Sequence, residues 1–327
     1  MNNEFNVNFF GEQFSSGDIY KILTEDDFEN KFSFKQKLYY NLLRPILPIL
    51  LRQAVQRISN KSISFKKDFI DERTVNRLLS FSSSLIESLK YLGDKDFAIC
   101  LTHDVEEQEG FNFIPKIIEL EQKYGFRSSW NIVPYKYKID KGIINLIKEN
   151  GFEIGIHGYN HDGLLYYSEK IFQERVPYIN RALREYEAVG FRSPQVHRNL
   201  KWLQNLDIEY DASCFDYDPF QPFPGGTGSI WPFIAGKFVE LPYTLPQDHT
   251  LFIVLKQENI SVWKTKTEWL SRNKGVVLML THPDYLMNKK FLKLYEEMLD
   301  YLNNFRNNAW YCLPRELSKY WKENFNK

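Results

Sequence analysis

The chain has no surplus of charge. Lys and Arg number 42 and Asp and Glu number 42, so the formal charge is zero. A protein that binds nucleic acid over a broad surface needs extra basic side chains to neutralise phosphate, so that class is excluded. Cysteine is scarce. Cys100, Cys214 and Cys312 stand far apart with no Cys-x-x-Cys pair, which argues against a zinc–thiolate site and against a disulfide framework. Long apolar runs are missing too. The strongest, Ile46 to Leu51, is broken by Pro48 and falls far short of the roughly 20 residues that span a bilayer. The opening MNNEFNVNFFGEQFSSGD has no basic start followed by an apolar run. No secretory leader is therefore expected, and a cytoplasmic location is.

What is present is the composition of a folded protein, with 43% hydrophobic and 26% charged residues. A length of 327 residues suits one large domain or a domain with an extension. Aromatic residues reach 16%, with 26 Phe, 20 Tyr and 7 Trp. Such rings serve either as flat platforms for sugars or as core, and composition leaves both open.

The zero net charge hides an asymmetry. Residues 1–34 carry seven acids against Lys21 and Lys31, whereas residues 35–67 carry eight bases and no acid. The basic stretch includes KLYYNLLRPILPILLRQAVQRI, with Pro45 and Pro48 interrupting any helix, so a helix is expected to start near Pro48. A basic amphipathic segment either packs on its own domain or rests on an anionic membrane surface. Residues 1–95 are thus expected to form a partly helical N-terminal extension.

From residue 96 the pattern alternates. Phe97 to His103, Ser128 to Val133, Phe152 to His157 and Gly275 to Thr281 read as buried strands. Between and after them, Asn112 to Tyr124, Lys141 to Glu149, Ser168 to Val189, Ile260 to Arg272 and Lys289 to Phe305 read as helices. Alternation of this kind predicts an α/β domain over 96–327, with a parallel sheet that is open or closed into a barrel.

In such folds chemistry gathers at the C-terminal ends of the strands. Four of the six histidines, His103, His157, His161 and His282, follow strands directly, with carboxylates beside them. His157 and His161 are four apart, so a helical turn would put both rings on one face, able to share a cation. A carboxylate from Asp104-Val105-Glu106 would complete a two-His-one-carboxylate site with positions left for water and substrate. The Pro- and Gly-rich stretch from Pro219 to His249 reads as a surface loop or as a substrate loop that carries Asp248 and His249 to the cleft. His197-Arg198-Asn199 reads as an anion site or as a helix start.

These residues resemble the polysaccharide deacetylases, carbohydrate esterase family four, over about residues 96–313. The family's His-x-x-x-His motif is matched by His157 and His161, and its Arg-x-Pro motif by Arg192-Ser193-Pro194. A later Asp and Trp motif is matched by Asp211 and Trp231, and the last strand motif by Leu278-Met279-Leu280-Thr281-His282. The first motif departs from Thr-Phe-Asp-Asp, because Thr102-His103-Asp104-Val105 puts valine at the usual metal position. A variant with the second acid two residues on makes Glu106 the ligand, with Glu107 as the fallback.

The resemblance implies a distorted (β/α) barrel and a metal-dependent hydrolase that removes an acetyl group from a sugar. Glu106, His157 and His161 would hold a divalent metal, with zinc the default and manganese or cobalt able to serve. Asp104 would be the base and His282 the acid, Arg192 would orient the catalytic acid residue, and Asp211 would be a further catalytic residue. His103, Pro194, Trp231, Asp248 and His249 would contact a carbohydrate substrate. Two alternatives remain: a non-catalytic sugar-binding or scaffold protein that lost its metal at Val105, and a hydrolase of cyclic amides or ureides. A membrane-surface role for residues 35–67 carries its own requirement. The protein should sediment with anionic but not neutral vesicles and be released as salt shortens the field, which reaches about 8 Å at physiological ionic strength. Equal recovery from both vesicle types would leave simple packing.

Overall fold

A computed structural model describes residues 5–25, 39, 51, 63–223 and 225–326. Most of the basic stretch 35–67 lies outside the described residues. Among the described residues, eleven strands form one sheet. The chain opens with a hairpin, β1 (Val7–Phe9) and β2 (Glu12–Phe14), then α1 (Gly17–Thr24) and α2 (Glu72–Ser88). The barrel follows as β3 (Phe97–Val105), α3 (Gln108–Lys123), β4 (Ser128–Ile132), α4 (Lys141–Glu149), β5 (Glu153–His157) and α5 (Glu169–Tyr186). It continues through β6 (Gly190–Arg192), α6 (Leu200–Leu203), β7 (Tyr210–Asp211), β8 (Phe233–Ala235) and β9 (Phe238–Glu240). Next come α7 (Ser261–Arg272), β10 (Val276–Thr281), α8 (Pro283–Leu286), α9 (Lys289–Leu302), β11 (Ala309–Tyr311) and α10 (Pro314–Phe325).

The sheet order is β10-β3-β4-β5-β6-β7-β9-β8-β1-β2, with β11 beside the start of β3. From β10 to β9 all neighbours are parallel. Beyond β9 the pairing is antiparallel through β8 and β1. The two first strands therefore belong to the barrel's own sheet, although they lie in the stretch expected to be a helical extension. The gap between β9 and β10 is bridged by irregular chain, where the N–H groups of Thr244 and Leu245 donate to the Leu278 carbonyl. This gives the distorted (β/α) barrel.

Local signals explain the helix ends. The Asp140 carboxylate accepts from the N–H of Gly142 and Ile143 and starts α4, and the Ser168 hydroxyl accepts from Ile171 and starts α5. All nine residues of β3 are buried, as expected of a central strand covered on both faces. The aromatic excess mostly serves the core: Trp130, Trp231, Trp263 and Trp321 are fully buried. Trp231 was expected to touch substrate. Instead its Nε1 donates to the Lys274 carbonyl at 3.0 Å and its ring packs against Phe9 and Phe10. The stretch from Pro219 to His249 is not a surface loop either, since it supplies β8 and β9 and is largely buried.

One buried ion pair ties the N-terminal part to the barrel. Glu25 follows α1, and its carboxylate takes a two-pronged contact from Arg198, with Nε donating at 2.6 Å and Nη2 bonding the second oxygen. The Gly226 N–H donates to the same carboxylate at 3.2 Å, and the guanidinium lies 4.4 Å from the Phe215 ring centroid. Arg198 therefore offers no open anion site. Removing one partner would strand a charge in the interior, so Glu25→Ala should lose about 3–5 kcal/mol in denaturant unfolding. Replacing both partners by methionine should cost clearly less. Equal losses in the two variants would show that the pair's charges are not what matters.

Candidate active site

Side chains alternate along a strand, so Thr102 and Asp104 face one way from β3 and His103 the other. The inward pair meets Arg192 at the end of β6. Arg192 Nη2 donates to Thr102 Oγ1 at 3.1 Å, and its Nε lies 3.6 Å from Asp104 Oδ1. Asn131 of β4, in register with Asp104, donates to the same Oδ1 at 2.8 Å. The opposite position on β5 is Gly155, where a Cβ would lie 2.1 Å from Asn131 Oδ1. Glycine there leaves the room that Asn131 occupies.

His103 faces outward instead. It is fully buried, its Nε2 lies 2.7 Å from Glu121 Oε1, and its Nδ1 lies 2.8 Å from Thr281 Oγ1. Its ring stacks on Trp130 with centroids 4.2 Å apart. It is thus a core residue tying β3 to β10, not a substrate contact.

Glu106 follows β3 by one residue and lies two beyond Asp104. Its Oε1 stands 3.0 Å from His161 Nε2 and 3.9 Å from His282 Nε2. His157 ends β5, and its ring centroid is 5.1 Å from that of His161. Ligand atoms of Glu106, His157 and His161 all lie within 4.8 Å of one another. The histidines converge through a loop and not through a helical turn: Gly158 has φ +66° and His161 φ +60°. A Cβ on Gly158 would lie 2.3 Å from Pro194 Cγ, so the Arg-Ser-Pro segment packs under the loop. That makes Pro194 a support, where a substrate contact was expected. Arg175 clamps the loop from α5, with bonds of 2.9 and 2.6 Å to Asp162.

This trio fits a divalent cation. His157 Nδ1 is 3.1 Å from the Arg192 carbonyl oxygen, which fixes the proton on Nδ1 and leaves the Nε2 lone pair available. Nε2 is buried without a hydrogen-bond partner among the described residues. Burial, which outweighs the attraction of Asp104, lowers His157 to about 4, so the ring is neutral and able to ligate. Burial acts against the Glu106 carboxylate, but His161, His282 and His157 hold it well below the usual range. Glu107 pairs instead with Lys136 at 2.6 Å and is half exposed.

His282, just past β10, is tuned the opposite way. Its Nδ1 lies 2.6 Å from Asp248 Oδ1, and its backbone N–H donates to Asp248 Oδ2 at 2.8 Å. Burial disfavours the charge, yet Asp248, Glu106 and Asp104 raise His282 to about 10. Asp248 is fully buried, so its role is to hold His282 and not to contact substrate. His249 stands beside it with its ring 5.7 Å from Tyr285, lowered to about 4 by burial and by His282.

Asp211, expected to be catalytic, lies away from His282. It accepts from Ser213 Oγ at 2.7 Å and sits in register with Glu240, deep in the core. Burial raises both carboxyls; Asp211 pushes Glu240 further up, whereas the hydrogen bond with Glu240 draws Asp211 down. Asn131, Gln195 and Asp284 were not anticipated. Gln195 Nε2 lies 3.2 Å from His161 Nε2, and Asp284 is raised to about 6 by burial and by Glu106.

No family model matches the chain. It is 21% identical over 253 residues to a curated peptidoglycan deacetylase of Helicobacter pylori (strain ATCC 700392 / 26695), across 65% of this chain and 85% of that protein. A polysaccharide-deacetylase-type protein of Mycobacterium smegmatis superposes with TM-score 0.57 at 16% identity, over 71% of this chain and 92% of that one. The Puue allantoinase gives TM-score 0.57 at 13% identity, over 81% and 100%. A polysaccharide-deacetylase-type protein of Pseudomonas aeruginosa PAO1 gives 0.55 at 14%, over 71% and 93%. The fold is that of the polysaccharide deacetylases. Against the first motif that this sequence resembles, Val105 stands where the second aspartate usually is, and Glu106 follows it.

Among the described residues, no helix is long and apolar enough to cross a membrane. The trio makes a direct prediction. His157→Ala and His161→Ala should each lose more zinc affinity than the roughly 10–100-fold that an outer partner costs, with folding retained. Full metal stoichiometry in both variants would contradict the assignment. Glu106→Gln should weaken binding, and Glu107→Gln should not.

Proposed function

We propose that the protein is a metal-dependent hydrolase that removes the acetyl group from an N-acetylated sugar. The observation that carries this reading is the meeting of Glu106, His157 and His161 beside Asp104, with His282 Nε2 3.9 Å from Glu106. A divalent ion bound by the trio, most simply zinc, would supply Lewis acidity for water and for the acyl carbonyl. Asp104, braced by Asn131 and Arg192, takes the proton from the attacking water. His282 has Nδ1 committed to Asp248, so Nε2 is the atom that gives its proton to the departing nitrogen. Attack by water on the acyl carbon thus ends with acetate and a free sugar amine.

The peptidoglycan deacetylase of H. pylori favours a sugar substrate. In a cytoplasmic setting the substrate would be a soluble or lipid-linked precursor. The intact trio speaks against a non-catalytic scaffold. A cyclic amide is the second reading, since an allantoinase has this fold, and turnover of N-acetylated saccharides against cyclic amides separates the two.

Asp104→Asn should keep the metal and lose about 10²–10⁴-fold in rate, the usual range for a positioned base. Near-wild-type turnover would end this mechanism. The acid sets the alkaline limb. With Asp248 on its Nδ1 raising it, His282 stays protonated above the range of free histidine, and activity should fall only as pH climbs beyond that range. Asp248→Asn removes the anion that favours the imidazolium, so the limb should move to lower pH. An unmoved limb would show that another group donates the proton.

A further inference from the structure

Glu106 stands at an awkward place for a ligand. It lies one residue beyond the end of β3, where the sheet no longer fixes the backbone. Its side chain is also longer by one methylene than an aspartate and has more rotamers to lose on binding. Something must hold its main chain for the carboxylate to meet His157 and His161.

Asp284 makes that contact. Its Oδ2 accepts from the Glu106 N–H at 3.0 Å, and its Oδ1 accepts from the Gly110 N–H at 3.2 Å. The two bonds join the residue after β3 to the first turn of α3. Gly110 is what lets the carboxylate sit there, since a Cβ at that position would lie 2.4 Å from Asp284 Oδ1. Asp284 opens α8 two residues after His282, and the Tyr285 N–H donates to the His282 carbonyl at 3.0 Å. One short turn therefore carries both the proposed acid and the clamp on Glu106. A plain helix cap would account for the bond to Gly110 but not for the bond to Glu106, which precedes the helix.

We infer that Asp284 is a positioning residue that fixes the backbone of Glu106 and so makes a glutamate after Val105 workable as a ligand. This rests on the cation site proposed above. The test is calorimetric titration of the full chain with zinc chloride, with circular dichroism to verify folding and the visible spectrum of the cobalt(II) form to report ligand geometry. Asp284→Ala should weaken zinc binding by about 10–100-fold, as outer partners of metal ligands do, and change the cobalt spectrum. Asp284→Asn keeps one carbonyl acceptor and should fall between. Gly110→Ala leaves every ligand and the Asp284 charge in place but pushes the carboxylate aside, so it should also weaken binding.

Wild-type affinity in folded Asp284→Ala would overturn the inference while leaving the cation site standing. So would Asp284→Asn as weak as the alanine variant with Gly110→Ala normal, since charge alone would then explain the loss. If Asp284→Ala does not fold, the asparagine and Gly110 variants decide. Failure of the wild type to bind zinc would remove the cation site, and this inference with it.

Discussion

The alternation of side chains at the end of β3 sets the site. Thr102 and Asp104 face inward, and Glu106 continues that face just past the strand. Val105 and His103 take the outer face, where both are fully buried. Valine stands at the family's usual metal position and faces outward, while Glu106, two residues beyond Asp104, carries the nearest carboxylate on the inner face. Asn131, Arg192 and Gly155 then shape the inner side around Asp104. On the outer side His103 meets Glu121, whose other oxygen accepts from Ser128 at 2.6 Å, and Tyr295 closes the group. A buried polar network of this kind holds position only because each member is paired.

Burial acts on two histidines of the site with opposite outcomes. His157 gives its Nδ1 proton to a backbone carbonyl, and desolvation prevails. His282 faces a carboxylate at 2.6 Å, and that anion prevails over desolvation. Environments that drive like groups apart are what suit one to the proposed ligand role and the other to the proposed acid role. Neither assignment depends on the residue type, which is identical.

Much of the barrel was legible because its strands are apolar runs flanked by periodic helices. The Lys141–Glu149 helix matched at both ends. The short strands Val7–Phe9, Glu12–Phe14 and Phe233–Ala235 were not legible, since three residues carry no period and pairing alone makes them strands. Reading β3 as ending at His103, two residues early, made His103 and Asp104 look like equal members of one end. The full strand separates them by face. Asp211 was expected to be catalytic from motif order alone, whereas the carboxylate that His282 meets is Asp248, 34 residues away in sequence. The spacing of His157 and His161 pointed to a shared cation, yet a loop with left-handed residues provides the geometry that a helix was expected to give.

The central claim is that Glu106 replaces the missing aspartate as a cation ligand. Crystals grown with zinc and measured on both sides of the zinc absorption edge test it most directly. The account predicts one anomalous peak in contact with Glu106, His157 Nε2 and His161 Nε2, at the roughly 2.0–2.2 Å usual for zinc with nitrogen and carboxylate donors. A peak held by the histidines with Glu106 turned away, or no peak at this site, would contradict it.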